Sequence, residues 1–132
     1  MREDSQALAT MNQPSTSQDA TPTWLVDEDP RTNTVVMHLS AHVTATVVKA
    51  AIAAVTERLV ARGGPSFVVA DLSAVRSFDL AAPLVAVILA APVAGLVTEV
   101  DIIATNKLVR AAATSVAAVL RLKVTVHPAE EH

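Results

Sequence analysis

Between residues 71 and 79 the chain reads Asp71-Leu72-Ser73-Ala74-Val75-Arg76-Ser77-Phe78-Asp79, with a carboxylate at each end and hydroxyls at Ser73 and Ser77 between them. An apolar run ends at Asp71 and a second begins after Asp79. The pattern predicts a buried strand, a short polar loop and the start of a helix. Such a junction can present side chains to a partner or hold an anion. Asp79, beside the start of the predicted helix, is placed to accept backbone N–H bonds where the helix dipole favours a negative charge; the alternative is a catalytic acid. Ser73 and Ser77 are expected to cap turn backbone groups, the alternative being that one of them is a site of phosphorylation. Arg76, like Arg110, is expected to be solvated or to meet an acidic partner.

Other residues with reactive side chains form no such constellation. His38 and His42 share the i, i+4 spacing of a helical metal pair, but they fall on a predicted strand and its exit. Four strand residues span about 13 Å, too far for one ion, so no metal is expected. His127 and His132 are expected to face water. The chain has no cysteine, which excludes disulfides, thiolate zinc sites and cysteine nucleophiles. No Gly-x-Ser-x-Gly elbow is present. Gly63-Gly64 is followed by Pro65-Ser66 rather than Lys-Ser or Lys-Thr, and it follows a predicted helix, so it marks a helix stop and not a phosphate loop. No cofactor is expected.

Composition narrows the class. Of 132 residues, 52% are hydrophobic but only 2% are aromatic, namely Trp24, Phe67 and Phe78. The core must be built from Val, Leu, Ile and Ala, which leaves little surface for stacking bases or flat cofactors. The net charge is −3 and the basic residues are scattered singly, so no nucleic-acid footprint is present. The lack of cysteine suits a reducing, cytoplasmic setting, and abundant Ala and Val with few Lys suggests a GC-rich bacterial source. No secretory signal is visible. Leu80 to Val97 is 18 residues without a charge, but Pro83, Pro92 and Gly95 interrupt it, and a buried helix fits better than direct membrane insertion.

The elements that must position the 71–79 segment follow from periodicity. Residues 1–21 are rich in Ser, Thr, Gln, Asp and Pro and are expected to form a disordered tail. The folded domain is expected over 22–127, with a short C-terminal tail over 128–132. Trp24 to Val26 and Val35 to Leu39 predict two strands, joined as a hairpin by the turn cluster Asp27 to Asn33. Thr44 or Thr46 caps a helix to Arg62, with Val48, Ile52, Val55 and Leu59 on one stripe and Gly63 just past its end. Phe67 to Leu72 predicts a strand covered on both faces. A helix from Ala81 to Ala91 follows, with Pro83 in its first turn. Val100 to Ala104, a helix capped by Thr105 or Asn106 and running to Ala118, and Leu122 to Val126 complete the order β-β-α-β-α-β-α-β. Alternating strands and helices predict a mostly parallel sheet with helices packed on it.

This order, with Asp71 to Asp79 at its centre, resembles the STAS domain, the family of sulfate transporters and anti-sigma-factor antagonists. The resemblance spans Trp24 to Val126. It rests on the strand end Asp71-Leu72-Ser73, the spacing to Phe78-Asp79, the apolar helix after it, and the strand, helix and strand from Asp101 to Val126. In switching members the loop reads roughly Asp-Ser-Ser-Gly or Asp-Thr-Ser-Gly, and a kinase phosphorylates the hydroxyl after the Asp. Here Asp79 matches that Asp, Leu80 stands at the phosphoacceptor position, Ala81 replaces the second Ser and Ala82 the Gly.

The resemblance implies a non-enzymatic regulatory module that binds an anti-sigma factor or a related kinase-fold regulator. Phosphate at the usual position would add about −1.5 to −2 charge, and Leu80 cannot carry it. The contact surface is expected over Ser73, Arg76, Ser77, Phe78, Asp79, Leu80, Ala81 and Ala82 and the exposed side of the next helix, with a homodimer as a further use. Two alternatives stand beside this reading. One is an accessory subunit of a transporter or lipid-transport complex. The other is a small enzyme or apolar-ligand carrier, which requires a sizeable pocket and is disfavoured by a solid core.

Overall fold

The computed structural model describes residues 23–128. The tail expected over 1–21 lies outside them, as do residues 129–132; Pro128, assigned to the tail, ends the last strand. The chain folds as β1 (Trp24–Asp29), β2 (Thr34–Val43), α1 (Ala45–Arg62), β3 (Ser66–Phe78), α2 (Ala81–Ala90), a 3-10 turn (Ala91–Leu96), β4 (Val97–Ala104), α3 (Lys107–Val119) and β5 (Val124–Pro128). The strands form one sheet in the order β1-β2-β3-β4-β5. β1 and β2 are the antiparallel hairpin, in register Val26↔Met37, and every later pair is parallel.

Local chemistry explains the helix and turn boundaries. Thr44 caps α1, its hydroxyl accepting from the Val47 N–H at 3.1 Å. Gly63, at φ 74°, ends the helix in the left-handed conformation, its N–H reaching the Leu59 and Val60 carbonyls. Asn33 takes φ 55° in the hairpin turn and its amide donates to the Pro65 carbonyl at 2.7 Å, tying the turn to the exit of α1. Asn106 caps α3 by accepting from the N–H groups of Leu108 and Val109.

Strand order decides the layering. Each parallel crossover steps one strand further in the same direction, and crossovers of this kind are right-handed. All three helices therefore fall on one side of the sheet. Val35, Leu39, Val68, Ala70, Leu72, Val100, Ile102 and Ala104 point toward them and are buried. Among the described residues no helix covers the opposite face, where Phe67 is 43% exposed and Val36, His38, Val69, Asp71 and Ile103 are partly exposed. The expectation that β3 is covered on both faces is thus corrected to one face.

Two further expectations change. The polar stretch after Leu72 is not a loop: β3 continues to Phe78, paired with β2 as far as Val43↔Phe78. The ladder absorbs register shifts between His38 and Ser40 and between Ala41 and His42, with Ala41 at φ 62°. A polar run reads as loop by composition, but an open sheet face tolerates polar side chains, so pairing wins. Nor is the helix after Asp79 buried. Only Ala82 of α2 is fully enclosed, while Leu84 and Ile88 are 62% and 60% exposed.

α2 is amphipathic in reverse. Ala82, Ala86, Ala90 and, in the 3-10 turn, Ala94 recur every fourth residue along its inner side, and the larger Leu80, Leu84 and Ile88 recur with the same spacing outside. Ala112, Ala113 and Ala117 line the inner side of α3. With so little side-chain volume between helices and sheet, a cavity of about 190 Å³ remains there. The core is not solid.

The contrast between inner and outer leucines is measurable. Leu59→Ala removes a side chain that is 1% exposed and should cost about 2 to 5 kcal/mol in chemical denaturation. Leu84→Ser should change stability by no more than about 0.5 kcal/mol, because its side chain already faces water. A loss at Leu84 equal to that at Leu59 would mean that α2 is turned the other way.

Candidate interaction site

The parallel pairing of β2 with β3 brings together residues that lie far apart in sequence. At the strand ends His42 stands beside Ser77, its partner in the ladder. His42 Nδ1 lies 2.7 Å from Ser77 Oγ, and Nε2 lies 2.9 Å from Asp79 Oδ1. A carboxylate only accepts, so Nε2–H donates to Asp79; in the neutral imidazole Nδ1 then accepts from the Ser77 hydroxyl. The Asp79 N–H donates to the Val43 carbonyl at 2.9 Å, and its own carbonyl accepts from the Ala82 N–H at 3.0 Å. Its backbone thus opens α2 while its carboxylate turns to His42. The expectation that this carboxylate serves the helix N–H groups is corrected.

A second cluster sits on the open sheet face. His38 Nδ1 donates to Asp71 Oδ2 at 2.9 Å, and Asp27 lies 3.9 Å from the other ring nitrogen. The Ser73 hydroxyl and N–H both donate to Asp71 Oδ1, at 2.7 and 3.2 Å. Ser73 and Ser77 therefore bond to side chains and do not cap turn backbone groups. Burial pushes the Asp71 carboxyl up, but the hydrogen bonds from Ser73 and His38, with the His38 charge, outweigh it and hold Asp71 below the usual carboxylate range. His38 and His42 are engaged separately, each with its own acid.

The expected contact residues do not all reach the surface. Ser73, Arg76, Ser77, Leu80 and Ala81 are exposed, and Asp79 is half-exposed. Leu80, 91% exposed, precedes α2 and offers no capping atom. Ala82 is 3% exposed and so is not available to a partner, while Phe78 is partly buried against the core. The Arg76 carbonyl accepts from the Asn106 side chain, and the Ser73 carbonyl from Thr105, which fastens the end of β3 to the start of α3. A shallow groove lined by Ser73, Arg76, Thr105 and Asn106 runs along this seam.

Sequence reasoning missed His42. Ser77 and Asp79 lie two apart near a strand end, but their imidazole partner is more than thirty residues upstream and only β2–β3 register discloses it. The order hydroxyl, imidazole, carboxylate is that of an activated nucleophile. Acyl transfer also requires preorganised oxyanion donors and a substrate pocket. His42 and Asp79 stand half-exposed at the strand-to-helix junction, beside the apolar row Leu80, Leu84 and Ile88.

Comparison with known proteins supports the architecture. No family model matches the chain, and no curated protein matches it. A solved structure, an uncharacterized protein of the DUF3478 family with a SpoIIAA-like fold from Shewanella loihica PV-4, superposes with a TM-score of 0.62 at 11% identity, covering 86% of this chain and 91% of that one. The chain therefore has the SpoIIAA-like fold. Among the described residues no helix is long and apolar enough to cross a membrane.

The Asp71 cluster makes a pH-dependent contribution to stability. Its folded pKa is depressed, so the contribution is present above the unfolded value, near 3.9, and is lost as pH falls through the folded value. Asp71→Asn should lower stability by about 1 kcal/mol at pH 7, and the gap should be smaller at about pH 3. Chemical denaturation of both proteins at the two pH values checks this; a gap independent of pH would refute it.

Proposed function

We propose that this chain is a non-enzymatic, protein-binding module of the STAS, anti-sigma-factor antagonist type. Its partner is an anti-sigma factor or a related kinase-fold regulator. The observation that carries this reading is Leu80. It stands at the junction of β3 and α2, nine-tenths exposed, and begins a row continued by Leu84 and Ile88. A monomeric surface seldom lines up large apolar side chains without a use for them. The His42–Ser77–Asp79 cluster and Arg76 supply the polar edge of that surface.

Leu80 also bears on regulation. At the position that corresponds to the switch hydroxyl, a hydrocarbon side chain removes phosphate control and adds contact area. The docking surface is therefore constitutively competent, or is controlled elsewhere. A homodimer through the α2 row is a compatible use of the same face.

Photo-crosslinking from position 84, with a photoreactive residue in place of Leu84, tests the partner class. Recovery of a kinase-fold anti-sigma factor, lost when Leu80→Asp is added, supports the reading. Recovery of ATPase or permease subunits instead would make the chain an accessory subunit of a transporter. Leu80→Ser should restore labelling by a cognate kinase, and labelled protein should bind its partner at least tenfold more weakly, about 1.4 kcal/mol. Phosphate found on Ser73 or Ser77 of the unaltered chain, by intact-mass and fragment analysis, would overturn the absence of phosphate control at this loop.

A further inference from the structure

We infer that the layer between the helices and the sheet is a binding site for one aliphatic chain of about six to ten carbons. The inference rests on the cavity beneath α2 and is independent of the docking surface, which uses the other side of that helix.

The lining defines the chemistry. The cavity is bounded by all three helices and by β2, β3 and β4, and Thr56 is the one lining residue whose side chain can form a hydrogen bond. A ligand carrying polar groups into this space would leave them unpaired, at a cost that apolar contacts do not offset. A hydrocarbon meets no such penalty. Phe78 is the one aromatic side chain in the lining, so stacking contributes little to recognition.

Size and shape narrow the occupant further. An engineered apolar cavity of about 150 Å³ accepts benzene, and this one holds about 190 Å³. Its lining extends from Met37 and Ile52 at one end to Leu120 and Leu122 at the other. Crossing from β2 to β4 alone covers about 10 Å, at about 4.8 Å per strand. So modest a volume over such a span is narrow, which suits a single chain better than a fused ring. Toward the 3-10 turn and the end of α3, the lining residues Val93, Ala94, Val97, Ala113, Leu120 and Leu122 are half-buried. A polar end group would remain in water at that side.

The distribution of side chains gives the space its significance. α2 does not lack bulk: Leu84 and Ile88 would fill the layer if the helix were turned inward. Instead Ala86 and Ala90 face the sheet, opposite Ala112 and Ala113 of α3. The space follows from where the large side chains are placed, not from their scarcity.

The test uses the full chain with labelled Ala, Val, Leu and Ile methyl groups, titrated with butanoate, octanoate, decanoate, 1-octanol and 1-octanoyl-lysophosphatidylcholine. The expected result is saturable shifts at Ala86, Ala90, Ala113 and Val116 and a higher unfolding temperature. Affinity should rise from butanoate to octanoate and level off near decanoate. Preference for the acid, the alcohol or the lysolipid tells whether the chain arrives free or as part of a lipid. Ala90→Leu and Ala113→Leu, which fill the space, should each weaken octanoate binding at least about tenfold, whereas Leu25→Ser on the far sheet face should leave it within about twofold. Should both filling variants fail to fold, the chain-length series on the unaltered protein decides. No saturable shifts, affinity that ignores chain length, shifts confined to Leu80, Leu84 and Ile88, or undiminished binding by folded filling variants would each overturn the inference.

Discussion

Every parallel step in this sheet moves in the same direction, and a right-handed crossover then has one side on which to lay its helix. The rest of the molecule depends on that constraint. With all three helices on one side, there is one buried layer, and every large apolar residue either enters it or faces water. The other side of the sheet must be compatible with solvent, which is why β3 can carry Asp71, Ser73 and Ser77 along a strand. In a sheet covered on both sides those residues would be desolvated, and the segment would have to leave the sheet as a loop.

The single layer also sets the part played by α2. It lies between α1 and α3 and contacts both, and it turns alanines to the sheet and leucine and isoleucine outward. A helix optimised only for stability would be reversed. The arrangement weakens packing beneath the helix and places hydrocarbon on its surface. One consequence is the exposed row that begins at Leu80, and the other is the space under Ala86 and Ala90. The two are separate physical features of one element, and each stands without the other.

The strand-to-helix junction shows how a modest backbone event assembles a polar site. Two register shifts, each with one extra residue on the β3 side, bring Val43 alongside Phe78, and Ala41 takes a left-handed conformation between them. His42 is thereby brought to Ser77 and Asp79. A positive φ at a residue with a Cβ is costly in general and persists where surrounding pairing overdetermines it. Here the ladder on both sides of Ala41 does so.

Much of the architecture was legible in the residues themselves. Thr44, Gly63 and Asn106 mark helix ends by local hydrogen bonding, and the spacing of Val48, Val55 and Leu59 shows which side of α1 is buried. The alternation of strands and helices is enough for a mostly parallel sheet. These are short-range properties, settled within a few residues. Which faces are covered, that the polar run from Asp71 to Ser77 is strand, that α2 exposes its larger side chains, and that His42 belongs with Ser77 and Asp79 were decided by strand order and register. Those depend on contacts between segments thirty or more residues apart, where no local pattern records which strand will lie beside which.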